Sequence, residues 1–367
     1  MQSVVHVITD AGPHPYFRTL IEGGLARSRL AVGCLGPAGA LQEEMASLGV
    51  ASFALGARHR SAYPHALARL TRLLRRRRAQ ILQTHLLDGS LVGLMAGRLA
   101  GTPVTVMTAH HSHELPYHGR RLLWPERACT ALCDHIIAPS RDVAETLVRH
   151  TGVREDKIKI VHHGFDLARL DPGARDGRRV RRELGLEGQI VFGAIGRIYR
   201  LKNHLALIEA FGAVLAATPQ ARLVIVGAGD SEPLAARAAS LGIDDRILLT
   251  GQRSDIPEVL AAFDAFVHPA VAESFGMVII EAMAMGLPVL STPVGIAPEV
   301  IEAPRSGLLT SGSDARALAH GLRSLLELRP SWPQMGASAR ARVAAFTAQR
   351  MALRYQQLYD EWLRATN

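Results

Sequence analysis

The chain has 367 residues, of which 48% are hydrophobic and 20% are charged. These proportions exclude disordered, acidic-tail and collagen-like proteins, and the length predicts two domains. Lysine and arginine number 42 against 33 acidic residues, a net charge of +9. This basic balance favours an anionic partner without choosing among nucleic acid, anionic lipid and a phosphorylated small molecule.

The cysteines and the hydropathy pattern bear on the cellular compartment. Cys34, Cys129 and Cys133 are too few and too irregular for a disulfide framework or a zinc site, which favours a reducing compartment. The start of the chain lacks the features of a signal peptide, and no run of about 18 apolar residues predicts a membrane span. We therefore expect a cytoplasmic protein, and peripheral binding to the inner face of the membrane stays open.

Short runs rich in β-branched residues alternate with longer amphipathic segments in the first part of the chain. This alternation predicts an α/β fold in which helices cover both faces of a parallel sheet. The predicted strands are Val4–Ile8, Ala31–Leu35, Ile81–Thr84, Val104–Thr108, Ile136–Ala138 and Ile158–Val161.

The same alternation resumes after His163–Gly177, a stretch rich in Gly, Pro and Asp that predicts a domain boundary. Asn203 is the predicted N-cap of a helix at Asn203–Ala216, and a last helical segment ends the chain. Because ligands bind beyond the carboxyl ends of parallel strands, a cleft between two such sheets is the expected site. The predicted strands are Ile190–Ile195, Arg222–Val226, Ile247–Leu249, Ala265–Val267 and Val289–Ser291.

The segment His268–Val289 reads as strand, loop, helix, glycine stop and strand. Glu273 falls in the loop, Ser274–Gly276 lie at the helix start, and Glu281 follows in an otherwise apolar helix. Unpaired N–H groups at a helix start attract anions and hydroxyl groups, and carboxylates accept hydrogen bonds from vicinal hydroxyls. From spacing alone, a helix-start charge and a surface glutamate explain the pair equally well.

A basic turn, Ile195–Asn203, follows the first predicted strand of the second series. The planar guanidinium of Arg197 could bind a diphosphate through paired hydrogen bonds, and the ammonium group of Lys202 could bind it through its charge. Taken alone, such a loop is more often a solvated face. Its place after a strand, together with the glutamate pair, favours phosphate binding, whereas Arg200 is expected to be a surface residue.

These two segments closely resemble the motifs of the retaining GT-B glycosyltransferases of family four (group 1), whose Glu-x7-Glu motif Glu273 and Glu281 match. The resemblance covers nearly the whole chain. It implies two Rossmann-like parallel-sheet domains that face a central cleft, 1–165 for the acceptor and 166–345 for the donor. It also implies that a C-terminal helix, 346–367, crosses back and packs on the N-terminal domain.

The same resemblance implies a donor site. Glu273 would contact the hydroxyls of the donor sugar, and Glu281 would bind the ribose. The phosphates would be bound by Arg197 and Lys202. Further contacts to the donor are implied for Gly12, Gly227, Arg253, Ser274, Phe275 and Gly276.

Histidines follow several predicted strands of the first series. The resemblance places His110 near the reaction centre, where it and Glu273 position the sugar and neither acts as a nucleophile. His14, His85 and His111 are candidates for the acceptor side. The catalytic set implied is therefore His110, Glu273, Arg197 and Lys202.

A metal site is the rival interpretation of these histidines. The segment His113–His118 is off by one residue from the H-E-x-x-H pattern, and Pro116 breaks the helix that the pattern requires. The spacing does not supply the convergent ligands that zinc needs, so no metal is expected.

The activity that the resemblance implies is metal-independent transfer of a sugar from a UDP- or GDP-sugar, with retention of anomeric configuration. The acceptor would be a small molecule, a glycan or a lipid-linked sugar. No separate cofactor is expected, since the turn Val226–Gly229 lacks the third glycine of the dinucleotide-binding pattern. Two alternatives stay open: a nucleotide-sugar epimerase of the same fold, and a non-catalytic relative that binds membrane or polyanion.

The stretch Arg69–Arg78 contains six arginines at the end of a predicted helix. Such a helix can rest on an anionic membrane surface. Arginine-rich composition and a favourable helix dipole explain the stretch equally well. Nucleic acid is not expected as a partner, because no aromatic residues are interleaved with the arginines.

Overall fold

The computed structural model describes residues 3–26, 29–110, 115–118 and 120–366. The chain divides into two compact units, one formed by Met1–Phe165 with Phe346–Asn367 and the other by Asp166–Ala345. Each unit contains its own parallel sheet with helices, so the predicted α/β fold with two Rossmann-like sheets is confirmed.

The sheet of the first unit is parallel throughout. Its described strands are β1 (Val4–Ile8), β2 (Leu30–Cys34), β3 (Ala51–Ala54), β4 (Ile81–His85), β5 (Val104–Thr108), β6 (His135–Ala138) and β7 (Ile158–Ile160). They lie in the order β3-β2-β1-β4-β5-β6-β7. The central strands β1, β4 and β5 are buried along their whole length, as strands covered on both faces must be.

Helices, numbered along the whole chain, cover both faces of this sheet. They are α1 (Pro15–Glu22), α2 (Ala40–Ser47), α3 (Tyr63–Arg77), α4 (Leu87–Ala100), α5 (Leu115–His118), α6 (Arg120–Leu132), α7 (Arg141–Thr151) and α16 (Ala348–Thr366). One face is covered by α1 and α16, and α3 and α4 pack on the other. Neither α16, at 19 residues, nor any other described helix is both long and apolar enough to cross a membrane.

The sheet of the second unit is also parallel, in the order β10-β9-β8-β11-β12-β13. Its strands are β8 (Ile190–Ile195), β9 (Ala221–Val226), β10 (Ile247–Gly251), β11 (Ala265–His268), β12 (Val289–Ser291) and β13 (Gly307–Leu309). Its helices are α8 (Gly177–Glu183), α9 (His204–Leu215), α10 (Glu232–Ser240), α11 (Ile256–Ala261), α12 (Met277–Ala284), α13 (Ala297–Val300), α14 (Ala315–Glu327) and α15 (Trp332–Val343).

Two strands were not predicted from the sequence, and the side chain at one predicted N-cap bonds elsewhere. The edge strands β3 and β13 were not predicted, because Ala51–Ala54 and Gly307–Leu309 are short and contain no β-branched residue. Asn203 occupies the N-cap position of α9, as predicted, but its side chain makes no capping hydrogen bond. Its backbone is left-handed (φ 59°), and its amide donates to the carbonyls of Pro269 and Ser313, at 3.0 and 2.7 Å.

Candidate active site

Two loops of the second unit carry most of the predicted donor-site side chains. One follows β8 and the other follows β11, and these strands are neighbours in the sheet. Lys202 comes from the first loop and Glu273 from the second, and the two form an ion pair. Their side chains are only 16% and 13% exposed, respectively. The structure thus brings these two predicted residues into direct contact.

The carboxylate of Glu273 lies beside the backbone of its own loop and the last residue of β11. The backbone N–H of Ser274 donates to Oε1 at 3.1 Å, and Nε2 of His268 lies 3.6 Å from Oε2. Burial lowers the pKa of His268 to about 4, so its ring is neutral near pH 7. Lys202 is therefore the positive charge that compensates this carboxylate.

Glycines fix the turn between Glu273 and α12. Gly276 has φ 88°, and a Cβ there would lie 2.8 Å from Cδ1 of Ile279. The carbonyl of buried Phe275 accepts a hydrogen bond of 2.8 Å from the N–H of Ile296, and a Cβ on Gly295 would approach the same oxygen to 2.6 Å. The turn is thus packed too tightly for side chains at these two glycines.

The loop after β8 also touches the turn after β9. A Cβ on Gly227 would lie 1.9 Å from the carbonyl oxygen of Gly196, so the two backbones are in close contact. Arg197 follows immediately, with an exposed side chain whose Cζ lies 5.1 Å from the centre of the Tyr199 ring. The structure therefore places Arg197 and Gly227 on adjoining turns at the same end of the sheet.

Glu281 lies in the second turn of α12. Its side chain is partly buried, and burial raises the pKa of its carboxyl from 4.5 to about 7. Within the described residues this carboxyl has no hydrogen bond or ion pair. A partly buried carboxyl without a hydrogen bond is stabilised by any ligand that donates hydrogen bonds to it.

Arg253 lies in the loop after β10, where it contacts two acidic side chains. Its guanidinium makes paired contacts with Glu183, at 2.6 and 3.2 Å, and with Asp255, at 2.8 and 2.7 Å. These bonds hold the pKa of Asp255 well below its usual range. With its donors engaged in this network, Arg253 serves to tie the loop after β10 to α8.

In the first unit, two of the predicted histidines are hydrogen-bonded to each other. Nδ1 of His85, at the end of β4, lies 3.0 Å from Nε2 of His110, which follows β5. Nε2 of His85 lies 2.9 Å from Nδ1 of His6 on β1. The ring of His110 also stacks on His163, with the centres 6.0 Å apart.

The loop after β1 contains the other predicted residues of this unit. Oδ1 of Asp10 accepts a hydrogen bond of 2.9 Å from the N–H of Gly12 and lies 3.2 Å from Nε2 of His14. One carboxylate therefore holds both Gly12 and His14. His111 lies outside the described residues.

A cavity of about 330 Å³ opens beside His110 in the first unit. Its wall is largely apolar, and Arg60 forms an ion pair of 3.1 Å with Asp88 at its edge. The lining residues are Thr9, Arg60, Leu86, Leu87, Asp88, Ser90, Met107, Thr108, Ala109, His110, Leu115, Leu122 and Glu126.

Sequence reasoning did not single out His6 and His268. Each is a fully buried polar residue within or at the end of a central strand. For His6, the sequence did offer a signal. A histidine within the predicted buried strand Val4–Ile8 indicates a hydrogen-bond partner in the core, since buried polar groups require partners. Among the described residues, no group of three or more His, Cys, Asp or Glu side chains is placed to hold a metal ion.

The two parts of the chain match two family models. Residues 5–169 match the model described as Glycosyltransferase Family 4, and residues 177–342 match the one described as Glycosyl transferases group 1.

Similar curated proteins carry glycosyltransferase names. The chain is 32% identical over 257 residues to the D-inositol 3-phosphate glycosyltransferase of Corynebacterium efficiens, covering 65% of this chain and 60% of that protein. It is 35% identical over 233 residues to the Nocardia farcinica protein of the same name, covering 60% and 51%. It is 30% identical over 236 residues to the UDP-Gal:alpha-D-GlcNAc-diphosphoundecaprenol alpha-1,3-galactosyltransferase of Escherichia coli, covering 60% of each. The matched part thus spans 51–60% of the length of these relatives.

Solved structures share the fold over almost the whole chain. Anabaena Alr3699/HepE in complex with UDP has a TM-score of 0.86 at 22% identity, covering 98% of this chain and 100% of that one. The same protein with UDP-glucose has a TM-score of 0.83 at 22% identity, with 98% and 99% covered. WaaG, a glycosyltransferase involved in lipopolysaccharide biosynthesis, has a TM-score of 0.72 at 16% identity, with 97% and 99% covered.

Proposed function

The chain belongs to the group 1 glycosyltransferases, and on this basis we propose that it transfers a sugar from a nucleotide sugar to a hydroxyl acceptor. We propose further that the anomeric configuration is retained and that no divalent metal takes part. The observation that carries the proposal is the contact between Lys202 and Glu273 at the ends of adjacent strands, next to the Arg197 turn.

The charged residues of this site suit the diphosphate, ribose and sugar groups of a nucleotide sugar. Arg197 and Lys202 would bind the diphosphate, and the close Gly196–Gly227 contact would let backbone groups approach it. Glu281 would accept hydrogen bonds from the ribose hydroxyls, which favour its charged form. In the free protein Glu273 is the counter-ion of Lys202. A bound diphosphate would replace it in that role and leave Glu273 to accept hydrogen bonds from the sugar hydroxyls.

The chemical step breaks one bond and forms one on the same face of the sugar. The bond from the anomeric carbon to the diphosphate oxygen breaks, and the acceptor oxygen bonds to that carbon. The proton of the acceptor hydroxyl passes to the departing phosphate oxygen. Arg197 and Lys202 would stabilise the charge that develops on the diphosphate, and Glu273 would position the sugar.

The names of similar proteins narrow the substrates to be tested. A neighbour of the same fold was solved with UDP-glucose, and one curated relative is named for UDP-Gal. Both favour a UDP-sugar donor, with GDP-sugars as the comparison. Curated relatives named for inositol 3-phosphate and for a lipid diphosphate sugar supply the first two acceptors to try.

The test measures donor binding by calorimetry and transfer by product analysis. The parent protein should bind a UDP-sugar and transfer its sugar with retention in the presence of a chelator. Lys202→Ala should weaken donor binding at least tenfold, a loss of about 1.4 kcal/mol or more, because a charge-assisted contact to phosphate is removed. Arg200→Ala removes an exposed cation from the same loop and should leave binding unchanged.

Two outcomes would overturn the proposal. A parent protein that binds no UDP- or GDP-sugar is not a glycosyltransferase of this kind. A parent protein that converts the donor sugar to its epimer, or releases free nucleotide with a modified sugar when no acceptor is present, is an epimerase. Loss of activity on adding chelator would exclude the metal-independent step.

We also propose that the first unit binds an anionic membrane surface through Arg69–Arg78. All six arginines of this stretch are exposed, and two of them, Arg69 and Arg75, also donate hydrogen bonds to the carbonyls of Leu55 and Leu99. Leu99 and Met95 on neighbouring α4 are also exposed, at 55% and 46%. Exposed arginines beside exposed apolar side chains are the combination that binds anionic lipid.

Vesicle sedimentation tests this surface. Vesicles containing anionic lipid should bind the parent protein, and Arg72→Ser with Arg76→Ser should reduce binding, by about 1 kcal/mol per arginine at low salt. The matched control is Arg316→Ser with Arg323→Ser, which removes two exposed arginines from α14 of the other unit. Equal binding by both double variants would exclude α3 as the docking surface.

A further inference from the structure

His268, the last residue of β11, lies beside the Lys202–Glu273 ion pair of the second unit. Its side chain is only 2% exposed, and its Nε2 lies 3.6 Å from Oε2 of Glu273, the oxygen that Lys202 also contacts. This nitrogen forms no hydrogen bond with any residue that the structure describes. Because a buried ring nitrogen without a partner costs stability, His268 would gain from a contact that the free protein does not make.

Hydrogen bonds fix the two loops of the ion pair against each other. The N–H of Val271 donates to the carbonyl of Leu201 at 2.8 Å, and the side-chain amide of Asn203 donates to the carbonyl of Pro269 at 3.0 Å. The residues on either side of Lys202 are therefore bonded to residues of the other loop. The ion pair can thus open through rotation of side chains, without movement of either loop.

The two side chains of the pair differ in freedom. A Cβ on Gly276 would lie 3.3 Å from Cγ of Glu273, and a Cβ on Gly295 would lie 3.2 Å from the same atom, so the backbone packs closely around this side chain. The stem of Lys202 runs past Gly196, where a Cβ would meet its Cδ at 3.5 Å, and it ends in a flexible ammonium group. We therefore expect Lys202 to move when the pair opens and Glu273 to stay in place.

The ring of His268 can donate to Glu273 without taking up a proton. Burial lowers its pKa to about 4, and among the nearby charges Glu273 raises this pKa whereas Lys202 and His204 lower it. The ring is therefore neutral near pH 7 and carries one N–H group. A carboxylate oxygen accepts hydrogen bonds only, so its position beside Nε2 favours the Nε2–H tautomer.

We propose that His268 is a positioning residue for the donor sugar and acts through Glu273. When the diphosphate draws the ammonium of Lys202 away, Nε2–H of His268 closes on Oε2 and replaces Lys202 beside the carboxylate. The inference rests on the proposed function, in which the diphosphate binds Lys202 and the sugar hydroxyls bind Glu273. It adds the residue that holds Glu273 once this exchange has taken place.

The exchange has an energetic basis. Separating Lys202 from Glu273 removes a positive charge from beside a largely buried carboxylate, which is costly by itself. A ring N–H that donates to a carboxylate forms a charge-assisted hydrogen bond, so His268 would offset part of this cost. A carboxylate has about four acceptor positions, and one bond to Oε2 is therefore compatible with others to sugar hydroxyls.

Ring NMR on the full chain labelled with 15N-histidine tests the contact without a donor. His268 is assigned by the loss of its signal in His268→Leu. In Lys202→Met, which removes the competing ammonium, the Nε2–H proton of His268 should shift downfield as it bonds to the carboxylate. Arg200→Met removes an exposed cation from the same loop and should leave the parent signal unchanged.

The parent protein should show the same downfield shift when it is saturated with UDP-glucose. This titration answers the question by itself if Lys202→Met does not fold. An unshifted signal in folded Lys202→Met or in the UDP-glucose complex overturns the proposal. A signal already shifted in the free parent also overturns it, since His268 would then bond to Glu273 before any exchange.

Donor affinity separates positioning from a merely structural role. His268→Leu should weaken UDP-glucose binding about tenfold in calorimetry, the loss of one hydrogen bond to a charged group. His268→Gln, whose amide N–H can donate to the same carboxylate, should keep most of the affinity. In a Glu273→Gln background, His268→Leu should have little further effect, because the charged acceptor is gone.

His204→Leu is the matched control, since it removes another buried histidine of the second unit. It should leave UDP-glucose affinity unchanged in both backgrounds. Equal losses from His268→Leu with and without the Glu273 carboxylate would mean that His268 only supports packing, and would overturn the proposal.

The two proposals fail in different ways. A parent protein that binds neither a UDP-sugar nor a GDP-sugar overturns the proposed function, and the Lys202→Met spectrum still decides whether His268 can replace Lys202 beside Glu273. A parent protein that binds and transfers the sugar, while His268→Leu keeps full affinity, overturns the role of His268 alone.

Discussion

At the scale of single residues, the Lys202–Glu273 ion pair holds two charges with little exposure to water. When one member of a buried pair is removed, the other is left uncompensated, so a single substitution costs more than the pair contributes. We expect Lys202→Met and Glu273→Gln each to lower the free energy of unfolding. The double variant should recover about 1–3 kcal/mol relative to the sum of the two. Urea unfolding of the four proteins measures this coupling, and strictly additive effects would show that the charges are independent.

Glu281 gives a second prediction, for the dependence of stability on pH. Burial raises the pKa of its carboxyl from 4.5 to about 7, so the folded state holds the proton more tightly than the unfolded state. The stability that this proton contributes is complete below about pH 4.5 and is lost as the pH rises through 7. Glu281→Gln should therefore stabilise the free protein at pH 8 by about 1–2 kcal/mol, after allowance for partial exposure, and by much less at pH 5.

Urea unfolding at the two pH values checks this prediction. Glu327→Gln, at an exposed site on α14, is the control and should have no pH-dependent effect on stability. The same Glu281→Gln variant should bind donor more weakly, because the neutral amide is a poorer acceptor for ribose hydroxyls. A stabilisation equal at both pH values would mean that the carboxyl is not held protonated.

The residues proposed for the donor site could be selected from the sequence because they are close to one another in local motifs. Glu273 and Glu281 lie on one loop and the helix that follows it, and Lys202 lies in the loop after the first strand of the same unit. Arg253 and His6 show the limit of this reasoning. One partner of Arg253, Glu183, comes from α8, and the partners of His6 come from β4 and α16. Tertiary structure chooses these partners, and no local pattern encodes them.

At the scale of elements, the turns after β8 and β9 depend on a backbone contact at Gly227. An alanine Cβ there would lie 1.9 Å from the carbonyl oxygen of Gly196, so the turns would have to move apart. We expect Gly227→Ala to cost about 1–3 kcal/mol of stability and to weaken donor binding, because Arg197 would be displaced with its turn. Gly173→Ala is the control, since a Cβ there meets nothing closer than 3.8 Å. Unchanged stability and donor affinity in Gly227→Ala would mean that the contact can relax freely.

The central strands could be predicted from the sequence, whereas two edge strands and the bonding of one N-cap side chain could not. Central strands such as Val4–Ile8 and Ile190–Ile195 are rich in β-branched residues and are buried on both faces, so their composition reveals them. The edge strands β3 and β13 pair on one side only, and their sequences carry little signal. At Asn203 the capping pattern was present, but two distant carbonyls bind the amide instead. Long-range hydrogen bonds there override local preference.

At the scale of the whole molecule, each unit has a separate hydrophobic core. A large cluster of the second unit contains only residues between 190 and 335. In the first unit, the cluster on the α1 face combines residues before 162 with α16. The first unit is therefore discontinuous in sequence. Its sheet was predictable from residues 1–165, yet the core on one face is completed by residues almost 200 positions later, including Tyr355, Leu358 and Trp362.

Two leucines of α16 test how far the first unit depends on this helix. Leu358 is fully buried in the core, whereas Leu353 is 59% exposed. Leu358→Ala should cost about 2–5 kcal/mol, because it removes buried methyl groups and leaves a cavity, whereas Leu353→Ala should cost less than about 0.5 kcal/mol. Amide hydrogen exchange followed by mass spectrometry locates the effect. In Leu358→Ala, protection should fall in β1, β4 and α1 and remain unchanged in β8, β9 and β11. A uniform loss of protection in both sheets would show that the two cores unfold as one.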